Sequence, residues 1–348
     1  MKAMRAISRF ILVLALAGGA LNASAAASAS AADPGAQARG AAPLQDPEAM
    51  LGAVVKVRSK ALEDARSNSS LGRAREGTGV VIDDQGHILT VGYIVIESEA
   101  IEVTTNANRT VAATLVGYDH ASGFGLLRAQ SPMGVKPLAL GQSSAIGVAD
   151  PVMILSAAGR DPAMLAQVVA KRKFTGSWEY LLDSAIFTSP PTFNWAGAAL
   201  VGREGKLMGI GSLLVRDTVE PGTAQPGNMF IPIDLIKPIL GDLIAKGRAE
   251  GASRPWLGLA TEEVQGRLFV TRVSPDSPAD KAGIKRGDIV MGVGADPVKT
   301  HEELYRKMWG MGAAGADVPL KLLQGSDVRD VKVHSIDRAE YFRAKPVY

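Results

Sequence analysis

Short apolar runs separated by turn residues fill the chain from about residue 50 to residue 232. The stretch GTGVVIDDQGHILTV (77–91) predicts two strands around the turn Asp84-Gln85-Gly86. The stretch AIEVTTNANRTVAATLVGYD (100–119) predicts two more around Asn106-Ala107-Asn108. The runs PVMIL, AQVVAKRKF, AALVGREGKLMGIGSLLV and NMFIPI continue the pattern. Repeated short strands with tight turns and few helical stretches favour a mostly β fold, a barrel or a sandwich.

The pattern changes at residues 233–247, where IDLIKPILGDLIAKG has helical spacing and ends at Gly247. The polar segment RAEGAS (248–253) predicts a linker. A second module begins near residue 254 and alternates strands with a helix. Thr300 and Glu303 form an S/T-x-x-E capping box for that helix. The closing strands are DVPLKLLQ and VRDVKVHSI, which leaves 341–348 as a tail.

The N-terminus is predicted to be a targeting segment. Basic residues precede the apolar run FILVLALAGGAL (10–21), which is short for a bilayer span, and small-x-small cleavage motifs follow it. We therefore expect a signal peptide over 1–25, cleaved no later than about residue 32. Residues 26–48 are predicted to be a flexible leader. An uncleaved anchor is the alternative; otherwise the mature protein is expected in the periplasm without a stable membrane span.

Composition places the 348 residues among ordinary globular proteins of two or three domains, with 47% apolar residues, 21% charged residues and a net charge of +3. The absence of cysteine excludes disulfides, thiol catalysis and thiolate metal sites. Four histidines without i,i+3 or i,i+4 spacing predict no metal site, and no cofactor is expected. Acidic and basic residues are interleaved, so nucleic acid is not an expected partner.

The order of these motifs resembles the HtrA (Deg) family, in which a trypsin-like double β-barrel precedes a PDZ domain. The first part carries GTGVVID, ILT, VGYD, GKLMGIG and FIPIDLIKPIL in family order. The second carries SPDSPADKAGIKRGDIV (274–290) and WLGL (256–259). The resemblance implies a protease-homology domain over 49–247 and an α+β PDZ domain over 254–340.

The catalytic triad of that family is not conserved in the residues that align with it. The His of the family's T-N-x-H-V motif corresponds to Tyr93, the Asp of G-x-D-x-x-x-D to Gly123, and the Ser of G-N-S-G-G to Ala196. A tyrosine with a pKa near about 10 is unsuited as a base at neutral pH. Asn194 replaces a glycine of the oxyanion loop, whose shape it can partly keep because Asn tolerates positive φ. The resemblance therefore implies a pseudoprotease.

Displaced catalytic residues are the alternative to a pseudoprotease. Ser189 and Ser184 are the serines near the nucleophile loop, although two prolines after Ser189 leave few N–H donors there. His87 follows a turn glycine and is expected to face solvent. His120 lies beside Asp119 and is expected to cap a turn. A Ser–Lys dyad also stays open, so the chain can still be an active endopeptidase.

A PDZ domain binds the free C-terminus of an extended peptide, which adds a strand to a sheet edge. The resemblance implies that WLGL forms the carboxylate-binding loop and that the helix HEELYRKM forms the opposite wall. His301 begins this helix and is predicted to bond a Ser or Thr hydroxyl of the peptide; a solvated histidine is the alternative. The predicted peptide-binding residues are Trp256, Leu257, Gly258, Leu259, His301 and Tyr305.

Three functions follow from this reading. The first is a periplasmic peptide-binding, scaffold or chaperone-like protein that holds unfolded or C-terminal segments. The second is an endopeptidase of protein quality control with displaced residues. The third is a non-catalytic regulatory subunit of an active HtrA relative. The resemblance also implies a homo-oligomer, commonly a trimer in the family. A PDZ domain that only packs against the barrels is the remaining alternative.

Overall fold

A computed structural model describes residues 47–157 and 162–342 of the protein. The predicted signal peptide and nearly all of the predicted leader lie outside the described residues. In the part of the chain that is described, no helix is long and apolar enough to cross a membrane.

Six antiparallel strands form a first closed barrel, in the order β1-β2-β3-β6-β5-β4. The strands are β1 (Val54–Ala61), β2 (Ala74–Val81), β3 (His87–Val91), β4 (Ser98–Thr104), β5 (Thr110–Tyr118) and β6 (Phe124–Ala129). Both predicted turns in this region are confirmed, since β2 and β3 flank residues 84–86 and β4 and β5 flank residues 106–108.

A second closed barrel follows, in the order β10-β11-β12-β9-β8-β7. Its strands are β7 (Pro151–Leu155), β8 (Ala163–Gly176), β9 (Tyr180–Ser189), β10 (Ala199–Val201), β11 (Leu207–Val215) and β12 (Gly227–Pro232). The hairpin of β8 and β9 is the longest in the barrel, and only residues 177–179 connect its strands. Buried side chains of both barrels, such as Leu127 and Ile231, belong to one hydrophobic cluster.

Three short helices accompany the barrels: α1 (Pro47–Leu51), α2 (Asn68–Leu71) and α3 (Leu240–Lys246). The helix predicted over 233–247 is shorter than expected. A 3-10 turn occupies Ile233–Leu235, and α3 begins only after Pro238, which has no N–H to donate to a continuous helix. The predicted end is confirmed, because Gly247 has a left-handed φ of 73° and its N–H donates to the Leu243 carbonyl.

The C-terminal module contains one sheet and three helices. Its elements are β13 (Leu259–Val264), β14 (Arg267–Val273), α4 (Pro278–Lys281), β15 (Ile289–Val293), β16 (Asp296–Pro297), α5 (His301–Trp309), β17 (Asp317–Gln324), β18 (Asp327–His334) and α6 (Arg338–Tyr341). The sheet order is β13-β14-β15-β17-β18, with β16 paired to β15, so β13 is an edge strand.

The predicted capping box at the start of α5 forms with one change. The Thr300 hydroxyl accepts from the Glu303 N–H at 3.2 Å, as expected. The Glu303 carboxylate accepts from the Lys299 N–H at 2.7 Å and not from Thr300 itself. This cap fixes where α5 begins, and α5 faces β13 across a groove.

Candidate functional site

Tyr93, which the sequence motifs align with the general base of the HtrA family, is hydrogen-bonded to the second barrel. It lies in a 3-10 turn after β3, and its hydroxyl donates to the Ser212 carbonyl in β11 at 2.8 Å. Burial raises the pKa of this hydroxyl far above its ordinary value. A hydrogen bond with Trp195 lowers the pKa by a smaller amount. Tyr93 is therefore a neutral hydrogen-bond donor and not a proton acceptor.

Gly123, which the sequence motifs align with the orienting carboxylate, lies in a turn with a left-handed φ of +86°. Its N–H donates to the Asp119 carbonyl and its carbonyl accepts from the Gly92 N–H, both at 2.8 Å. The Tyr180 hydroxyl from β9 donates to the neighbouring Ser122 carbonyl at 2.6 Å. A Cβ atom on Gly123 would lie 3.2 Å from that hydroxyl oxygen. A larger side chain here would meet both steric crowding and an unfavourable backbone conformation.

Ala196, which the sequence motifs align with the nucleophile, carries no reactive group, and its carbonyl accepts from the Thr78 N–H of β2 at 2.8 Å. Asn194 does not take the positive φ that an asparagine tolerates; the left-handed residue of this loop is Gly197, at +77°. The Asn194 N–H donates to the Thr192 hydroxyl at 3.2 Å. The N–H of Asn194, which the motifs align with an oxyanion donor, is therefore used for a hydrogen bond within the loop.

The serines considered as displaced nucleophiles lie on or at the end of β9. The Ser189 hydroxyl donates to the Pro226 carbonyl at 3.1 Å, so its hydrogen does not point to a base. Ser184 is exposed on the same strand. A nucleophile needs a base within hydrogen-bond reach, and these contacts give neither serine a histidine partner.

The two histidines considered as bases are engaged elsewhere. The prediction that His87 faces solvent is wrong: it is 4% exposed, and its Nδ1 lies 2.6 Å from the Asp83 carboxylate. Asp119 accepts from the Ser122 N–H at 2.7 Å, so the carboxylate, and not His120, caps that turn. His120 instead stacks on Phe342 with ring centroids 5.4 Å apart. Among the described residues, no three His, Asp or Glu side chains converge as a metal site.

The C-terminal module presents a groove between edge strand β13 and helix α5. Gly258 has a φ of +88°, and a Cβ atom there would lie 2.4 Å from the Ser277 Cβ, so this position requires glycine. This conformation turns three consecutive backbone N–H groups, those of residues 257–259, towards one point. Such a set of donors binds a carboxylate.

A carboxylate from the second barrel occupies that point. Glu179, at the tip of the β8–β9 hairpin, accepts from the N–H groups of Leu257 at 3.0 Å, Gly258 at 2.7 Å and Leu259 at 2.8 Å. It is 7% exposed and has a φ of +58°. Burial raises the pKa of Glu179, while the three N–H donors and the positive charge of Arg338 lower it.

The same hairpin contacts both walls of the groove. The Thr261 N–H of β13 donates to the Ser177 carbonyl at 3.0 Å. From α5, the Tyr305 hydroxyl donates to the Gly176 carbonyl at 2.7 Å and accepts from the Glu179 N–H at 3.1 Å. Burial raises the pKa of this hydroxyl, so it stays a neutral donor.

Leu181 adds an apolar contact between the second barrel and the C-terminal module. It is 3% exposed and belongs to the hydrophobic cluster of that module. The cluster includes the two leucines of the loop, Leu257 and Leu259, and Leu304 of α5. The hairpin therefore occupies the groove with backbone, a carboxylate and an apolar side chain.

The remaining residues predicted for peptide binding lie at the groove or beside it. His301 is buried at the start of α5, with Nε2 2.9 Å from the Thr261 carbonyl and Nδ1 3.1 Å from the Glu263 carboxylate. Both ring nitrogens thus face groups of β13, and selection of a peptide hydroxyl by His301 stays a prediction. Trp256 forms backbone hydrogen bonds with Ile336, and its ring packs at a tilted angle against Tyr341, so it supports the loop from outside.

Comparisons with known proteins identify both domains of the chain. The family model of the trypsin-like peptidase domain matches residues 77–210, and that of the PDZ domain matches residues 255–334. The chain is a trypsin-like peptidase domain followed by one PDZ domain. The predicted fold, two trypsin-like barrels with a C-terminal PDZ domain, is confirmed.

The homologues are HtrA (DegP) proteins, as the motifs predicted. The periplasmic serine endoprotease DegP of Escherichia coli K12 is 27% identical over 274 residues, 74% of this chain and 56% of DegP. The periplasmic pH-dependent serine endoprotease DegQ of the same strain is 27% identical over 273 residues, 74% of this chain and 58% of DegQ. The chain thus spans a little over half the length of these relatives.

A solved structure of the HtrA-type protease AlgW with a decapeptide has the same fold. It superposes with a TM-score of 0.50 at 17% identity and covers 85% of this chain and 97% of AlgW. At this identity the match supports the arrangement of barrels and PDZ domain, and not a shared activity.

Glu179 is the groove residue that sequence reasoning missed. It stands in GSWEY, a short connection between two strands, and its partners lie up to 80 positions later in the chain. The local signal was an acidic residue flanked by aromatic residues at a hairpin tip. That pattern does not indicate which distant loop the carboxylate reaches.

Proposed function

We propose that this protein binds polypeptide segments without hydrolysing them. In this proposal the trypsin-like domain is a pseudoprotease, and the PDZ domain binds the C-termini of unfolded or partly folded chains. The observation that carries the first half is the state of the triad positions: a buried, bonded tyrosine, a left-handed glycine and an alanine. Acyl transfer needs a nucleophile, a base and a group that orients the base.

The three-donor loop of the PDZ domain supports the second half of the proposal. Its N–H groups are already arranged around a carboxylate, which is the group a free peptide C-terminus would present. The periplasmic location belongs to the proposal as well. Its support is the predicted signal peptide and the periplasmic relatives. Homo-oligomer formation and association with an active HtrA relative stay predictions from the resemblance.

The test combines binding and cleavage in one sample. The purified mature chain is incubated with fluorescein-labelled casein and with a reduced, unfolded protein; anisotropy reports binding and gel electrophoresis reports fragment formation. We expect bound, intact substrate. Fragments that persist through purification and are lost in Ser189→Ala or Ser184→Ala would refute the pseudoprotease.

Restoring the triad residues should not restore activity. In the combined variant Y93H/G123D/A196S, the aspartate must adopt the left-handed conformation beside the Tyr180 hydroxyl. The Ala196 carbonyl and the Asn194 N–H would still be engaged in their present hydrogen bonds. A displacement of about 1 Å can cost roughly a hundredfold in rate. Robust casein hydrolysis by the combined variant would show that substitution alone, and not loop geometry, had removed catalysis.

A further inference from the structure

The PDZ groove already contains a ligand that belongs to the chain itself. Three N–H groups of the loop converge on the Glu179 carboxylate, at 2.7 to 3.0 Å. A peptide's α-carboxylate needs these same donors. Because three N–H groups aimed at one point hold one carboxylate, Glu179 and a peptide C-terminus exclude each other.

The overlap extends along the groove. A bound peptide would pair with the edge of β13, where the Thr261 N–H now donates to the Ser177 carbonyl. It would also run beside α5, where Tyr305 now bonds the backbone of Gly176 and Glu179. The hairpin thus uses one backbone donor of the β13 edge and reproduces the carboxylate capture of a peptide, with a side chain in place of a terminus.

Charged side chains fix the hairpin at the rim of the groove. Lys173 of β8 pairs with Glu302 of α5, and Asp183 of β9 pairs with Arg306 of α5. Exposed pairs of this kind contribute little affinity but help to set register. The Arg338 guanidinium donates to the Trp178 carbonyl at 3.4 Å. The hairpin is therefore held by a few polar bonds and one buried leucine, and not by a continuous strand pairing.

We propose that the β8–β9 hairpin is an internal competitive ligand that closes the PDZ groove, and that an external peptide with a free C-terminal carboxylate binds by displacing Glu179. This inference rests on the proposed peptide-binding function of the PDZ domain and adds its regulation. An intramolecular ligand acts at a high effective concentration, so it lowers the apparent affinity for any external peptide. Peptide binding would release the hairpin from α5 and β13.

The test compares variants of the hairpin tip in the full mature chain. Glu179→Ala removes the competing carboxylate, and Glu179→Gln keeps the size but presents an amide that matches three N–H donors poorly. The matched control is Glu204→Gln, an exposed carboxylate of the second barrel that pairs with Lys206. Circular dichroism first establishes that each variant is folded.

The probe is a fluorescein-labelled decapeptide with an apolar last residue, prepared with a free C-terminal carboxylate and as its C-terminal amide. We expect the Kd for the free-acid peptide to fall by about tenfold to a hundredfold in Glu179→Ala, because charge-assisted bonds hold the internal carboxylate. The Kd of Glu179→Gln for this peptide should lie between those of Glu179→Ala and the unmodified chain. Glu204→Gln should bind like the unmodified chain, and the amide peptide should gain nothing in any variant.

Amide hydrogen exchange separates failure of this inference from failure of the proposed function. The N–H groups of residues 257–259 and of Thr261 should exchange faster in Glu179→Ala than in the unmodified chain. Faster exchange without peptide binding would support the internal ligand and refute peptide binding. Measurable peptide binding that is equal in Glu179→Ala and the unmodified chain, with unchanged exchange, would overturn the internal ligand and leave peptide binding in place.

Discussion

His120 should make the stability of the protein fall with acidification. Its ring packs between Tyr118, at 4.2 Å between centroids, and Phe342, and its Nδ1 is buried without a hydrogen-bond partner. Burial lowers the pKa of His120 well below its ordinary value of 6.5, and the positive charge of Arg338 lowers it further. The folded protein therefore holds this imidazole in its neutral form.

The magnitude follows from proton linkage. Because the pKa is lower in the folded state, the unfolded chain binds an extra proton as the pH falls below about 6.5. The stabilisation from a neutral His120 is therefore complete above that pH and is lost below it. When the folded-state pKa lies below the pH of the measurement, the free energy of unfolding falls by about 1.4 kcal/mol at pH 5.5 and by about 2 kcal/mol at pH 5.

The assay is urea unfolding at pH 7.5, 6.5, 5.5 and 5.0, for the unmodified chain and for His120→Phe. Phenylalanine keeps the aromatic packing and cannot take up a proton, so the variant should lose the acid-dependent part of the free energy of unfolding. The control is His334→Gln, which removes an exposed histidine beside Asp317 and should leave the His120 contribution in place.

Direct titration provides the refuting result. With four histidines in the chain, the His120 ring resonance can be assigned from its absence in His120→Phe. A His120 resonance that titrates at about 6.5 would contradict the argument, because the folded and unfolded states would then bind the proton equally. A free energy of unfolding that depends on pH equally in His120→Phe and in the unmodified chain would also contradict the argument.

Two further predictions concern contacts between the two barrels, and Gly222→Ala is the control for the first of them. Gly197→Ala should cost about 3 kcal/mol or more in urea unfolding, because its Cβ would lie 1.9 Å from the Thr78 carbonyl at a φ of +77°. Gly222→Ala, with a φ of +85° but no atom within 4 Å, should cost only about 1 to 2 kcal/mol; equal losses would exclude the steric argument. Tyr93→Phe should lose about 0.5–1.5 kcal/mol, since the Ser212 carbonyl loses its donor, and an unchanged thermal midpoint would contradict this.

Sequence reasoning predicted the elements whose signals are local. Turn residues at 84–86 and 106–108 separate strands, Gly247 ends a helix, and Thr300 caps one. Each of these is decided by backbone conformation or by a hydrogen bond within a few residues. The triad substitutions at Tyr93, Gly123 and Ala196 are read from motifs in the same way, and they stay a prediction.

The errors concern side chains whose environment is built by distant parts of the chain. His87 follows a turn glycine, which suggested exposure, yet every residue of β3 is buried, and Asp83 supplies the partner for the ring. Asn194 tolerates a left-handed conformation, but the left-handed residue of its loop is Gly197, whose backbone closely approaches that of Thr78. The docking of Glu179 depends on two domains coming together, for which the sequence between them carries no periodic signal.

The hydrogen bonds between the barrels bear on how this protein unfolds. Tyr93 and Thr78 of the first barrel bond the Ser212 and Ala196 carbonyls of the second, and the Ala157 N–H donates to the Thr78 hydroxyl at 3.1 Å. These polar atoms link the two barrels. Opening either barrel alone would leave buried carbonyls without donors. The two barrels should consequently melt in one calorimetric transition, so that a destabilising substitution in either barrel lowers the melting temperature of both.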